Sequence, residues 1–256
     1  MKTIFKIATA TVIAASLVSC NRSEDPAPNN PPSSGVLPKK MVSTYSNYPN
    51  NPRTVTYTYD GNKISEINIF PQEDVSKIKY TYTGDNITKI EKFTGSNFSS
   101  YYISNLEYQN DKLVKVSSPS GYNETTFVHN PDGTVIQTYK YSSTSSSQQS
   151  KLYFTGGNMV KRENLDANGA VVQTINYSYD TAKNGMLKNV TGLTKVLSGF
   201  SAYDEGDTGV NALTGITDTG VASNNSTYTY EYNSDSFPTK RVRNRNNVTA
   251  TAVISY

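Results

Sequence analysis

One cysteine, one histidine and no tryptophan occur in these 256 residues. With Cys20 alone the chain can form no internal disulfide, and once that thiol is modified no thiol nucleophile is left. With His129 alone a multi-histidine metal site is excluded. No apolar run approaches the roughly 20 residues of a spanning helix: the longest, Ile7 to Ala15, is broken by Thr9 and Thr11. No window sustains apolar spacing of three and four, which argues against long helices. Neither sign of charge prevails, since discarding Lys2 and Lys6 with residues 1–19 leaves 22 basic against 21 acidic side chains. Such a balance speaks against a nucleic-acid partner, which requires a basic surface.

What is present begins with an export signal. Basic Lys2 and Lys6 precede the apolar run, and Ser16-Leu17-Val18-Ser19 leads to Cys20. Leu17-Val18-Ser19-Cys20 resembles the lipobox of bacterial lipoproteins. The resemblance implies cleavage between Ser19 and Cys20, diacylglycerol on the Cys20 sulfur and acylation of the new amine. Ser23-Glu24-Asp25 resembles the short acidic signal that sends lipoproteins of Bacteroidetes to the outer surface of the outer membrane; solubilising composition is the other reading of these charges.

The expected organisation is a signal peptide at 1–19, a lipidated cysteine and tether at 20–38, and one β-repeat domain at 39–256. The tether carries Pro26, Pro28, Pro31, Pro32 and Pro38 among Asn and Ser, and would reach roughly 50 Å at about 3.1 Å per residue.

Beyond it the chain repeats itself. Val55-Thr-Tyr57-Thr-Tyr59-Asp-Gly61-Asn-Lys-Ile64-Ser-Glu-Ile67 matches Ile78-Lys-Tyr80-Thr-Tyr82-Thr-Gly84-Asp-Asn-Ile87-Thr-Lys-Ile90 almost position for position. Fainter copies follow at Leu106-Glu-Tyr108, around Val128, at Leu152-Tyr-Phe154, at Tyr177-Ser-Tyr179 and at Tyr228-Thr-Tyr230-Glu-Tyr232. Anchored on Tyr59, Tyr82, Tyr108, Val128, Phe154 and Tyr179, the spacings are 23, 26, 20, 26 and 25; Tyr232 lies 53 further on, so one unit is hidden or replaced between.

Aromatic and threonine residues alternate with the period of a half-buried strand. Asp60-Gly61-Asn62 then supplies the positive φ of a tight hairpin. The return strand spaces its apolar residues by three, at Ile64/Ile67, Ile87/Ile90, Leu113/Val116 and Leu187/Val190. Strict alternation cannot hold such a pair on one face, so a recurrent β-bulge just after the turn is inferred. The fold class expected is all-β: an antiparallel β-meander of repeated hairpins forming a large curved sheet or partly closed barrel. The stretch from Gly192 to Ser226 departs from the pattern and reads as a long loop, a short helix or a displaced unit.

These units resemble the Tyr-Asp repeats of Rhs-type proteins, and residues 36–256 are similar to repeat-bearing lipoproteins of Flavobacteria and other Bacteroidetes. Leu37-Pro38-Lys39-Lys40 and Phe237-Pro238-Thr239-Lys240 resemble that group's entry and exit phrases. The Asp of Tyr-Asp stands at Asp60 and Asp180 and is replaced at Thr83, Gln109 and Thr155. The resemblance implies a β-repeat lipoprotein and no particular chemistry.

Candidate chemistry is sparse. His129 beside Asn130-Pro131-Asp132-Gly133 reads as a surface-turn histidine. Glu66, Glu91, Glu107 and Glu163 recur at strand positions and read as outward solvated charges, with no pair set apart for glycoside hydrolysis. Asp204, Glu205 and Asp207, with Asp218 downstream, offer oxygen ligands for Ca²⁺ without the ordered spacing of a calcium loop. Arg241, Arg243 and Arg245 share one strand face, suited to an anionic glycan or headgroup, or to the commoner role of a charged outer face. Thr181 in Asp180-Thr181-Ala182 resembles the Bacteroidetes O-glycosylation acceptor.

No catalytic residue and no cofactor is assigned. The expected function is that of a lipid-anchored envelope lipoprotein acting as a non-catalytic module that binds a glycan, peptide or protein at the cell surface, its membrane partner engaged through Cys20. A ligand-free structural scaffold is the alternative, and a carbohydrate-active enzyme a distant third. A row of exposed tyrosines in a groove would favour binding, and burial of the tyrosines would favour a scaffold.

Overall fold

The computed structural model describes residues 35–71, 76–94, 99–197 and 209–256. Cys20, the acidic Asp204, Glu205 and Asp207, and most of the tether lie outside these residues. Residues 34–256 form one compact unit.

Sixteen strands follow one another around a closed antiparallel barrel, each pairing with its sequence neighbours and β1 pairing with β16. The first five are β1 (Lys40–Tyr45), β2 (Tyr48–Asp60), β3 (Lys63–Phe70), β4 (Lys77–Thr83) and β5 (Asn86–Thr94). Next come β6 (Ser99–Gln109), β7 (Lys112–Ser117), β8 (Glu124–His129), β9 (Val135–Lys140), β10 (Gln148–Thr155) and β11 (Asn158–Leu165). The circuit ends with β12 (Val171–Asn184), β13 (Asn211–Asp218), β14 (Ser226–Tyr232), β15 (Pro238–Arg245) and β16 (Val248–Ser255). The hairpin meander expected from the sequence is thus present, and its sheet closes completely. Lys40 to Tyr45 run in unbroken register along Ser255 to Ala250, which leaves no edge to be covered.

The recurrent bulge after the turn is observed in five hairpins and is absent from the β8–β9 hairpin, whose register is unbroken. In the first hairpin Thr58 faces Glu66 and Tyr59 faces Ile64, so Ser65 is the extra residue. Thr88, Val114, Val160 and Thr239 take the same place in their hairpins. Each inserted residue returns the next apolar side chain to the inner face, which is why Ile64 and Ile67 are both buried despite a spacing of three. The turn between them puts Gly61 at φ +57, a conformation other residues adopt at a cost.

Two readings shift register. In the β8 hairpin Phe127 faces inward and Val128 is 59% exposed, so Val128 is not the anchor of its unit. His129, paired with Val135, takes the inward place that Tyr59, Tyr82 and Tyr108 hold elsewhere. It is a half-buried strand residue whose Nε2 lies 2.8 Å from the Leu113 carbonyl, not a surface-turn histidine. In addition, Leu187/Val190 belong to no return strand. Within the 53-residue gap β12 and β13 pair as one hairpin, and the described residues between them, 185–197 and 209–210, form no strand.

Residues 185–197 pack into the barrel end at which the chain enters β1, here called the proximal end. Sixteen strands enclose enough space to leave an aqueous channel. Here Met186, Leu187, Val190, Leu193 and Val196 enter the same core as Ile64, Ile67, Ile87, Ile90 and Leu113. Inserted between β12 and β13, this segment forms a plug, with Leu193–Lys195 as a short 3-10 turn. Gly192 at φ +75 brings it so close to the Asp85 carbonyl that a Cβ would lie 2.4 Å away. Polar ties lock it down: Thr191 N donates to the Asn62 carbonyl and Tyr82 Oη donates to the Thr191 carbonyl. Lys195 Nζ reaches Asn86 Oδ1 at 2.8 Å and Asp111 Oδ1 at 2.6 Å.

The outer wall is polar. Thr56, Thr58, Lys79, Thr81, Glu107 and Thr229 face outward by register. Neighbouring strands pair lysine with glutamate across this face, as in Lys77–Glu66 at 3.4 Å, Lys115–Glu124 at 2.9 Å and Lys240–Glu231 at 2.7 Å. A lysine facing lipid near the bilayer midplane costs about 2–4 kcal/mol, so a wall of this composition suits water.

Candidate functional site: the polar distal lumen

The inward rows of β6 to β12 change character along the barrel axis, whereas β3 and β4 stay apolar as far as Ile69 and Ile78. Toward the proximal end the inward residues are Ile64, Ile87, Leu113 and Phe154; toward the distal end of β6 to β12 they become Ser104, Thr125, Ser150, Asn164 and Gln173. Burial holds the phenols of Tyr59, Tyr80 and Tyr82 well above their usual range, so the aromatic zone stays uncharged. Most repeat tyrosines are therefore core, as in Tyr57, Tyr80 and Tyr228, rather than a row in a groove. Exposed aromatic residues gather instead at the distal rim: Tyr48, Phe70, and Tyr122 against Tyr141 with ring centroids 5.6 Å apart.

Within the distal half a chain of side-chain hydrogen bonds crosses β10 to β13. Ser150 Oγ donates to Asn164 Oδ1 at 2.8 Å, and Arg162 Nε donates to the same oxygen at 2.9 Å. Asn164 Nδ2 donates to Gln173 Oε1 at 2.6 Å, and Gln173 Nε2 donates to Asp218 Oδ1 at 2.7 Å. The other Asp218 oxygen accepts from Asn224 Nδ2 at 2.8 Å, and Arg245 Nη2 donates to Asn224 Oδ1. A cavity of about 350 Å³ opens beside this network, lined in part by Gln137, Tyr139, Gln148, Ser150, Arg162 and Asn164. Tyr139 is fixed there by its hydroxyl, which donates to Asn123 Oδ1 at 2.7 Å.

Basic side chains accumulate on the same inner surface. Arg241 and Arg243 do not form an outer charged face: they point inward, opposite Ala252 and Ala250, whose small side chains leave them room. Arg241 is 4% exposed, while Arg245 follows on the same face at the distal rim. Arg53 and Lys92 also face inward, and burial lowers the Lys92 pKa.

Asp218 is a strand-end carboxylate that organises the β13–β14 loop. Burial works to raise its pKa, and hydrogen bonds from Asn224, Gln173 and the Gly220 and Val221 amides outweigh it, bringing the pKa down to about 2. A depressed folded-state pKa contributes stability that is present above the usual carboxylate pKa and lost as pH falls toward 2. Asp218→Asn turns the oxygen facing the Asn224 amide into a second donor. The expected cost is about 1–3 kcal/mol near pH 7, with a shallower acid limb in melts recorded between pH 5 and pH 2.

The remaining predicted residues do not converge. Glu66, Glu91 and Glu163 sit on the outer wall beside Lys77, Lys89 and Lys161. No group of three potential metal ligands occurs among the described residues. Thr181 is exposed on β12, and its carbonyl accepts from Asn211 Nδ2. The polar network and cavity are what sequence reasoning missed. Their signal was the replacement of valine and isoleucine by serine, asparagine and glutamine at inward positions of β10 to β12.

No protein-family model and no curated protein matches this chain. Among solved structures it is similar to a porin-like protein from Bacteroides vulgatus ATCC 8482, at 12% identity and a TM-score of 0.43, covering 86% of this chain and 98% of that one. A porin-like protein from Bacteroides uniformis ATCC 8492 is similar at 10% identity and a TM-score of 0.39, covering 85% and 97%. Likeness at this level transfers no function.

Proposed function

We propose that this protein is a lipid-anchored lipoprotein of the outer membrane, displayed at the cell surface, that acts as a non-catalytic binding module through the distal half of its barrel. One observation carries the reading: along β8 to β12 the inner face passes from an apolar end packed against the plug to a polar end with a cavity and an aromatic rim. A ligand-free spacer has no use for that asymmetry, since an apolar core throughout would stabilise it better. The lipobox at Cys20 and the acidic Ser23-Glu24-Asp25 support the address, and the polar wall supports a barrel held beside the membrane by its lipid rather than embedded in it. A non-catalytic role is supported by His129 being held at the Leu113 carbonyl and by Glu66, Glu91 and Glu163 lying on the outside.

A glycan array and a peptide array probed with the detergent-solubilised full chain test this. The expected result is a restricted set of ligands lost when Asn164 and Gln173 are both changed to leucine. A blank on both arrays favours the scaffold and removes the binding reading.

A further inference from the structure

Resting on that binding reading, we infer that the distal cavity takes a hydroxylated anion, an acidic saccharide, held by Arg162. Arginine in a barrel interior normally finds a carboxylate, because an uncompensated buried charge is costly. Arg162 finds none within ion-pair distance among the described residues. Its partners are neutral: Asn164 Oδ1 at 2.9 Å from Nε, and Ser150 Oγ at 3.3 Å from Nε and 3.2 Å from Nη2. These fix the guanidinium plane while Nη1 makes no hydrogen bond to the described residues.

Among the described residues the inward strand carboxylate of this half is Asp218, and its oxygens are already taken by Gln173, Asn224 and two backbone amides. Arg162 is the charged side chain of the cavity lining, so the local charge there is positive. A guanidinium held in plane is suited to bidentate contact with a carboxylate or phosphate.

The rest of the lining identifies what carries the charge. Gln137 and Gln148 offer amides that both donate and accept, which matches sugar hydroxyls, and Tyr139 offers a ring. At about 350 Å³ the cavity is far larger than a free phosphate or acetate and lies in the range of small-molecule sites.

Calorimetry on the full chain in detergent, titrated with N-acetylneuraminate, D-glucuronate and D-galacturonate and with their neutral counterparts N-acetylmannosamine, D-glucose and D-galactose, tests the inference. At least one acidic sugar is expected to bind, with its neutral counterpart tenfold weaker or more. Arg162→Gln should lower that affinity at least tenfold, and Arg162→Lys by less. Circular dichroism checks that each variant is folded. Should Arg162→Gln fail to fold, two other measurements decide. Gln148→Ala, in a side chain without hydrogen bonds among the described residues, should weaken binding severalfold, and raising salt from about 0.05 to 0.5 M should weaken the acidic sugar selectively. Neutral sugars binding as well as acidic ones, or binding indifferent to salt and to both substitutions, overturns the anion assignment and leaves the binding module standing. No binding of any acidic probe also overturns it; only an accompanying blank on the arrays removes the binding module too.

Discussion

Leu193→Ala is expected to lower stability by about 2–5 kcal/mol, the cost of emptying a buried leucine site. For a domain of this size that is roughly 4–20 °C in melting temperature. Leu193 is 1% exposed and packs in one cluster with Met186, Val190 and the isoleucines of β3 and β5, so its truncation leaves a hole in the barrel's own core. The contrast is Lys195→Ala. That side chain ties the same segment to Asp111, but the pair is exposed and screened by solvent, so its loss is expected to leave stability almost unchanged. Chemical denaturation of both variants decides whether the insertion is a plug or a surface loop. A Leu193→Ala loss below about 1 kcal/mol would assign it to the surface.

The plug also marks where local sequence reading stops. The alternation of Tyr57 and Tyr59 with threonines, the turn at Gly61 and the three-residue spacing of Ile64 and Ile67 each follow from backbone geometry over a dozen residues, and each is observed. Leu187 and Val190 carry the same spacing and are not in a strand. Three apart is also how a run of short turns buries two residues, and nothing local separates the cases. Closure was undetermined for a different reason: pairing Lys40 with Ser255 joins the two ends of the domain, and no local pattern encodes so remote a contact. The Arg241, Arg243 and Arg245 row depended on that closure. A strand rich in arginine reads as an outer face until the alanines at 250 and 252 are seen opposite it. The polar network was hidden by dispersal, because Ser150, Arg162, Asn164, Gln173 and Asp218 come from four strands, and only register brings them together.

The largest functional effect is expected at the anchor. Two or three acyl chains at about 0.8 kcal/mol per buried methylene hold a protein stably on a membrane, whereas the outward threonines and paired lysines and glutamates of the described wall are costly to place in lipid. Membrane association should therefore depend wholly on Cys20. The direct measurement replaces residues 1–20 with an ordinary cleavable signal peptide, so that the mature chain begins at Asn21 and carries no cysteine, and follows it through cell fractionation and purification without detergent. The account predicts a protein that leaves the membrane pellet for the soluble fraction and gives a β-sheet spectrum and a cooperative melt in plain buffer. A chain that stays in the pellet through an alkaline wash, or that folds only in detergent, would contradict it.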